Sequence, residues 1–131
     1  MFEPTQTVTS FAVHDVQAAV TFYGETLGLK VTAGPDVLFV HHPDGHDTLI
    51  YHKPEHIPAS YTVLNFVVDD VDDAVDELRR RDVRLLRYDD LGADDQGIVR
   101  HPDRDIAWFA DPAGNIHSVA RLKTPLPQRP S

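Results

Sequence analysis

A ten-residue stretch of this sequence occurs twice, and this internal repeat limits the possible folds more than any other feature. FAVHDVQAAV at residues 11–20 returns as FVVDDVDDAV at residues 66–75, with six of the ten positions identical. The two copies lie 55 residues apart in a chain of 131 residues. A repeat with a period close to half the chain indicates one structural module built twice.

Each copy has the pattern of a β-strand followed by an amphipathic helix. Side chains alternate along a strand, so Phe11 and Val13 share one face, as do Phe66 and Val68. An aspartate then stands where a helix N-cap is favoured, and apolar residues recur at three- and four-residue steps. We expect each helix to pack on the Phe/Val face of its own strand. The opposite face is therefore predicted to carry the pocket.

The remaining patterns complete two modules within a single domain over residues 1–131. The first module, 7–53, is predicted to contain strands at 7–13, 29–33, 37–41 and 48–53 and a helix at 16–26. A proline-containing linker is expected at 54–60. The second module, 61–122, is predicted to contain strands at 61–68, 83–88, 98–101, 105–110 and 116–122 and a helix at 71–81. The segment 89–96 is predicted to be a mobile loop, and 123–131 a proline-rich, poorly ordered tail.

The composition excludes several classes of function. A hydrophobic content of 41% and a charged content of 25% are ordinary for a soluble globular protein. The net charge of −9 disfavours nucleic acid and anionic membranes as partners. Because the chain has no cysteine, it cannot form disulfides, thiolate metal sites or cysteine nucleophiles. No leader sequence or membrane-spanning stretch is visible, so we expect a cytoplasmic protein.

Two further motifs carry a family resemblance. FYGETLGL at residues 22–29 follows the first helix, and WFADPAGN at residues 108–115 precedes the last strand. With the paired module starts, they resemble the vicinal oxygen chelate superfamily, which includes glyoxalase I, extradiol dioxygenases, fosfomycin-resistance enzymes and bleomycin-resistance proteins. The resemblance covers residues 7–122. It implies an α+β fold of two paired βαβββ modules whose curved mixed sheets enclose a cavity, and it implies a homodimer.

The resemblance also allows a metal site to be tested position by position. Metal-using members place His, Gln or Glu at four strand positions that face the cavity. These positions correspond here to Val8, Val63, Ser118 and either Leu49 or Tyr51. Valine has no lone pair, whereas divalent ions need oxygen or nitrogen ligands at roughly 2.0–2.2 Å. We therefore expect no metal and no other cofactor. His52 and His117 would become ligands only if the strand register were off by one residue.

Five residues are candidates for contacting a small-molecule ligand. By strand alternation, Ser10, Asn65 and Ser118 are isolated polar groups on otherwise apolar faces, which is the usual composition of a ligand pocket. Trp108, the only tryptophan, could stack on a planar ligand, and Tyr51 could offer its phenol near the fourth ligand position. Each has a structural alternative, as a hydrogen-bonded strand residue or a packed aromatic. No catalytic residue is identified.

Three functions are compatible with these patterns. The first is a metal-free binding protein that holds a small, largely apolar or aromatic ligand in a dimeric cavity. The second is a lyase, isomerase or dioxygenase of the same superfamily, dependent on metal only if the register is shifted, or using His52 or Tyr51 as an acid–base group. The third is a regulatory subunit with a vestigial cavity. We favour the first, because the expected ligand positions lack metal donors.

Overall fold

A computed structural model describes residues 1–127, and the chain divides after Pro58 into two compact units. Each unit contains one mixed β-sheet and helical segments, which confirms the predicted α+β class. The division falls within the 54–60 stretch that the sequence predicts as a linker. Residues 128–131 of the predicted tail lie outside the described residues. Within residues 1–127, no helix is long and apolar enough to cross a membrane.

The first unit is a four-stranded sheet with the strand order β1-β4-β3-β2. Its elements are β1 (Thr9–Val13), α1 (Val16–Ala19), β2 (Lys30–Ala33), β3 (Val37–His41) and β4 (Asp47–His52). The helix predicted at 16–26 is present, but it changes from α-helix to π-helix over Val20–Thr26. Strand β1 runs parallel to β4, and the other pairs are antiparallel.

The second unit repeats this topology with one added strand. Its elements are β5 (Thr62–Val67), α2 (Val71–Arg80), β6 (Arg84–Leu86), β7 (Val99–Arg100), β8 (Arg104–Ala110) and β9 (Ile116–Leu122). The strand order is β5-β9-β8-β6, with β7 paired to β8. Strand β5 runs parallel to β9, as β1 does to β4. Parallel neighbours need a long crossover connection, which the helices begin in both units.

The helix starts follow the predicted capping chemistry. The carboxylate of Asp15 accepts a hydrogen bond of 3.0 Å from the backbone N–H of Ala18. The carboxylate of Asp70 accepts the equivalent hydrogen bond, also 3.0 Å, from the backbone N–H of Asp73. Both aspartates have extended backbone conformations, as N-cap residues do. Gly28, which follows the first helical segment, has a φ of 71°, which a residue with a side chain adopts at a cost.

One face of the first sheet packs on its own helix. The ring of Phe11 lies 6.0 Å from the ring of Tyr23, measured between centroids. Tyr23 is fully buried and also contacts Phe22, with centroids 5.0 Å apart in a perpendicular arrangement. The aromatic part of the FYG motif is therefore core, and the Phe11 side of β1 faces the helix as predicted.

The corresponding face of the second sheet is an aromatic cluster that includes a histidine. Phe66 stacks on Phe109 at 6.1 Å, and His117 lies 6.0 Å from Phe66 and 5.5 Å from Phe109. His117 is fully buried. His117 and Ser118 lie on opposite faces of β9, as strand alternation predicts.

Burial of His117 predicts a pH-dependent stability. Burial lowers the pKa of His117 from 6.5 to about 4, against an opposing effect of the Asp111 charge. The unfolded chain then takes up a proton below pH 6.5 that the folded chain refuses until about pH 4. Stability is thus complete above pH 6.5 and falls as the pH drops towards 4. At about pH 5 we expect a loss of roughly 2 kcal/mol from this residue.

Urea unfolding near neutral pH and at about pH 5 measures this loss. His117→Leu removes the titrating group while leaving every other ionisable residue in place. Its free energy of unfolding should fall less steeply with decreasing pH than that of the natural sequence. An unchanged pH slope in His117→Leu would contradict the assignment.

Candidate functional site

A groove of about 270 Å³ lies on the second unit, on the sheet face opposite the His117 cluster. This volume is close to the lower end of the roughly 300–1,000 Å³ typical of ligand pockets. Its lining side chains are aromatic, aliphatic or hydroxyl-bearing: Ser60, Tyr61, Thr62, Tyr88, Leu91, Trp108 and Ile116. None of these described side chains carries a formal charge.

Trp108 forms the main wall of this groove. It lies on β8, and its indole N–H donates a hydrogen bond of 3.1 Å to the hydroxyl of Thr62 on β5. Strand β9 lies between these two strands, so the indole must extend across β9 to reach its partner. The hydrogen bond fixes the indole plane and occupies its single polar hydrogen. What Trp108 can offer a ligand is therefore the π-face of its ring.

Tyr88 forms a second aromatic wall. Its ring centroid lies 4.9 Å from that of Trp108, and the two planes meet at 84°. This is the edge-to-face geometry that aromatic pairs favour. Tyr61, 70% exposed, contributes a third aromatic ring to the lining. The three rings converge on one groove. Tyr61 precedes β5, Tyr88 follows β6, and Trp108 lies within β8.

A β-bulge in β5 changes which residue reaches the groove. Thr62 pairs with Ile116 and Leu64 with His117, so Val63 lies at the irregularity between them. Strict alternation predicts that Val63 shares a face with Asn65. Because of the bulge, it is Thr62 that pairs with Ile116, on the same face of β9 as Ser118. The extra residue shifts the alternation by one. The expectation that Val63 and Asn65 lie in a regular alternating row is therefore wrong.

Asn65 and Ser118 are directly bonded. The buried hydroxyl of Ser118 donates a hydrogen bond of 2.7 Å to the side-chain oxygen of Asn65. Ser118 also pairs across the sheet with Trp108, so these three predicted residues form one row over β5, β9 and β8. Asn65 is exposed, and its amide group remains available on that face. Neither Asn65 nor Ser118 is among the residues that line the groove.

Ser10 and Tyr51 lie on the first unit. Ser10 pairs with Leu49, and Ala12 pairs with Tyr51, so these four side chains share one face. That face is opposite Phe11, as strand alternation predicts. Tyr51 is 38% exposed, and Ser10 is also exposed. Their contact with a ligand stays a prediction.

The segment predicted to be a mobile loop has a defined internal structure. It contains a 3-10 helix, Asp89–Leu91, which places Leu91 in the groove lining. The guanidinium of Arg87 bonds the side chain of Asp89 at 2.5 Å and the backbone oxygens of Ala93 and Asp94. The carboxylate of Asp94 in turn accepts the N–H groups of Gln96 and Ile98. The acidic residues of this segment thus supply the acceptors of these hydrogen bonds.

The positions at which the family holds a metal do not fit one here. Val8 precedes β1 and carries only hydrocarbon, and Val63 lies at the bulge. The hydroxyl of Ser118 is committed to Asn65. His52 pairs with Val13 and therefore faces away from the Tyr51 side. In the described part of the chain, no three histidine or carboxylate side chains are grouped so that they could hold a metal ion.

Sequence reasoning missed most of the residues that line the groove. Tyr61, Tyr88 and Leu91 belong to no motif, and Thr62 was predicted only as part of a strand. The available signal was that aromatic residues stand at the ends of two predicted strands. Such a signal does not say which strand ends meet.

Comparison with known proteins places these features in a family. The family model for the Glyoxalase/Bleomycin resistance protein/Dioxygenase superfamily matches residues 5–117. A search of curated proteins gives no match.

Several solved structures are similar over nearly the whole chain. TnmS3, an antibiotic binding protein from Streptomyces sp. CB03234, is 25% identical, with 92% of this chain and 99% of that chain covered and a TM-score of 0.66. Lactoylglutathione lyase from Agrobacterium tumefaciens is 21% identical, with 91% and 95% covered and a TM-score of 0.67. The fosfomycin resistance protein FosX from Listeria monocytogenes is 10% identical, with 92% and 94% covered and a TM-score of 0.69.

The bond between Trp108 and Thr62 can be tested directly. Thr62→Val removes the acceptor and leaves the indole N–H without this partner, whereas Thr62→Ser retains a hydroxyl. We expect Thr62→Val to lower the free energy of unfolding by about 1 kcal/mol. Because the chain has one tryptophan, its single indole N–H signal can be identified in an NMR spectrum without overlap from other indoles. Equal signals in the Val and Ser variants would contradict the hydrogen bond.

Proposed function

We propose that this chain, which belongs to the Glyoxalase/Bleomycin resistance protein/Dioxygenase superfamily, is a metal-independent binding protein for a small, largely apolar or aromatic molecule. The observation that carries this proposal is the groove of the second unit, whose walls are aromatic, aliphatic and hydroxyl side chains. Apolar walls with a few polar groups are typical of ligand sites. A planar ligand would bury apolar surface against Trp108 and Tyr88. The packing of aromatic rings would add further binding free energy to each contact.

The groove is better suited to binding than to acid–base catalysis. A general base must reach the proton that it removes; histidine is the most frequent candidate, and carboxylates, lysine and tyrosine also serve. The described residues that line the groove include no histidine, carboxylate or lysine, and their only acid–base candidates are two tyrosines. Two phenols and two aliphatic hydroxyls are present, and they can orient a ligand without changing it chemically. The lyase, isomerase and dioxygenase alternatives gain no support from this lining.

The donor chemistry at the family's ligand positions supports the proposed metal independence. Two of them are valines, which cannot bind a divalent ion, and a third is a serine bonded to Asn65. We propose that the open sheet face serves instead as apolar contact surface. The similarity to an antibiotic binding protein, at 25% identity, is consistent with a binding role.

The binding proposal is tested by titrating the isotope-labelled protein with a panel of small naphthalene and quinoline compounds. A bound compound should shift the single indole N–H signal of Trp108. Tyr88→Leu should weaken binding by about tenfold, the expected loss for one aromatic wall. Phe2→Leu is a matched control, because Phe2 is 92% exposed and lies outside the groove.

Two outcomes would contradict this proposal. One is that no panel member shifts the Trp108 signal. The other is that a chelator abolishes the binding that occurs, since the groove is proposed to work without metal. Retention of binding after chelator treatment is the expected result.

We further propose that the protein acts as a homodimer. Several large apolar side chains of the second unit are exposed, among them Tyr61 at 70%, Val67 at 58% and Leu91 at 51%. Tyr61 and Leu91 both line the groove, and an exposed apolar patch of this kind is typical of interaction surfaces. Native mass spectrometry of the natural sequence should show a species of twice the chain mass. Val67→Asp should shift that species towards monomer, and a monomer in both proteins would contradict the homodimer.

A further inference from the structure

We propose that the groove recognises an organic cation whose positive charge lies on an aromatic or alkylated nitrogen. This inference names the ligand class for the binding function proposed above and rests on it. It goes beyond apolar complementarity, because it assigns the sign of the ligand's charge. Three observations carry it: the arrangement of the rings, the absence of cations from the lining, and the surrounding negative charge.

The first observation is the geometry of Trp108 and Tyr88. Two rings at 84° with centroids 4.9 Å apart form a corner that presents ring faces on two sides. Tyr61 adds a further ring to the same groove. Ring faces carry negative electrostatic potential and attract a cation within about 6 Å of the centroid. Because the indole N–H is already donated to Thr62, Trp108 meets a ligand through its π-system and not as a hydrogen-bond donor.

The second observation is that no cation competes for the rings. The described lining residues include no lysine, arginine or histidine. Arg87 precedes Tyr88 in the chain, but its guanidinium is bonded to Asp89 and to the backbone oxygens of Ala93 and Asp94. Its charge is therefore directed into the 89–96 segment. An anionic ligand would find no charged partner among these lining side chains.

The third observation is the charge around the groove. Asp89 and Asp90 belong to the same short helix as Leu91, which lines the groove. The Asp89 carboxylate is paired with Arg87, whereas Asp90 is an exposed residue of that helix. The whole chain carries a net charge of −9, which attracts cations over distances of about a Debye length. The negative electrostatic field of the chain and the faces of the aromatic rings thus both favour a positively charged ligand.

The test compares three probes that share a bicyclic aromatic ring system on the full-length, isotope-labelled protein. N-methylquinolinium carries a delocalised positive charge, 1-methylnaphthalene is its neutral isostere, and 1-naphthoate is an anion. Binding is followed by the indole N–H signal of Trp108. We expect N-methylquinolinium to bind roughly tenfold more tightly than the neutral isostere, and its affinity to fall with increasing salt. The anion should bind most weakly.

Variants of Tyr88 separate charge recognition from general packing. Tyr88→Leu should reduce the preference for the cation over the neutral probe, whereas Tyr88→Phe should retain it because the ring is kept. Urea unfolding of each variant shows whether it is folded, and Phe2→Leu again serves as the aromatic-to-leucine control.

Each result decides between the two levels of the proposal. Equal affinity for the cation and its neutral isostere overturns the charge assignment but supports the binding function. Tighter binding of the anion also overturns the charge assignment. If none of the three probes shifts the Trp108 signal, both the charge assignment and the binding function at this groove are overturned.

Discussion

The alternation of side chains along each β-strand is the constraint on which the rest of this structure depends. One face of each sheet is used for its own core, where Phe11 meets Tyr23 and Phe66 meets Phe109 and His117. The opposite face of the second sheet is only partly covered, by a small buried cluster of Val99, Ile106 and Ala120 against which Trp108 packs. Asn65 and Trp108 lie on that second face in the second unit. Because one helix covers only one face of the sheet, a ligand groove can form on the other face.

The groove of the second unit depends on contacts that cross several strands. The indole of Trp108 extends across β9 to Thr62, and Tyr88 packs against it from the end of β6. The acidic 89–96 segment brings Leu91 to the same place, held by the guanidinium of Arg87. These contacts give the indole N–H an acceptor and direct the Arg87 charge away from the rings. The remaining surface is aromatic and uncharged, which sets the chemistry that a ligand must match.

Prediction from the sequence succeeded where one short-range rule controls the outcome. The repeat indicated two modules, and the aspartate caps at Asp15 and Asp70 formed as expected because capping depends on a few consecutive residues. Alternation also placed His117 and Ser118 on opposite faces. Prediction failed at Val63, where a β-bulge shifts the alternation by one residue. A bulge is selected by the fit of two strands, so the pattern of one strand does not reveal it.

The sequence by itself determined the modular α+β fold, the helix starts and the chemistry of the positions that hold metal in the family, since each depends on residue type and local spacing. Only the tertiary structure decided which side chains form the groove. Trp108 and Thr62 are 46 residues apart in the chain, and Tyr88 belongs to neither strand. Their meeting depends on the strand order β5-β9-β8-β6 and on the bulge in β5. Strand order and bulges arise from the packing of distant segments, which local patterns of residues do not encode.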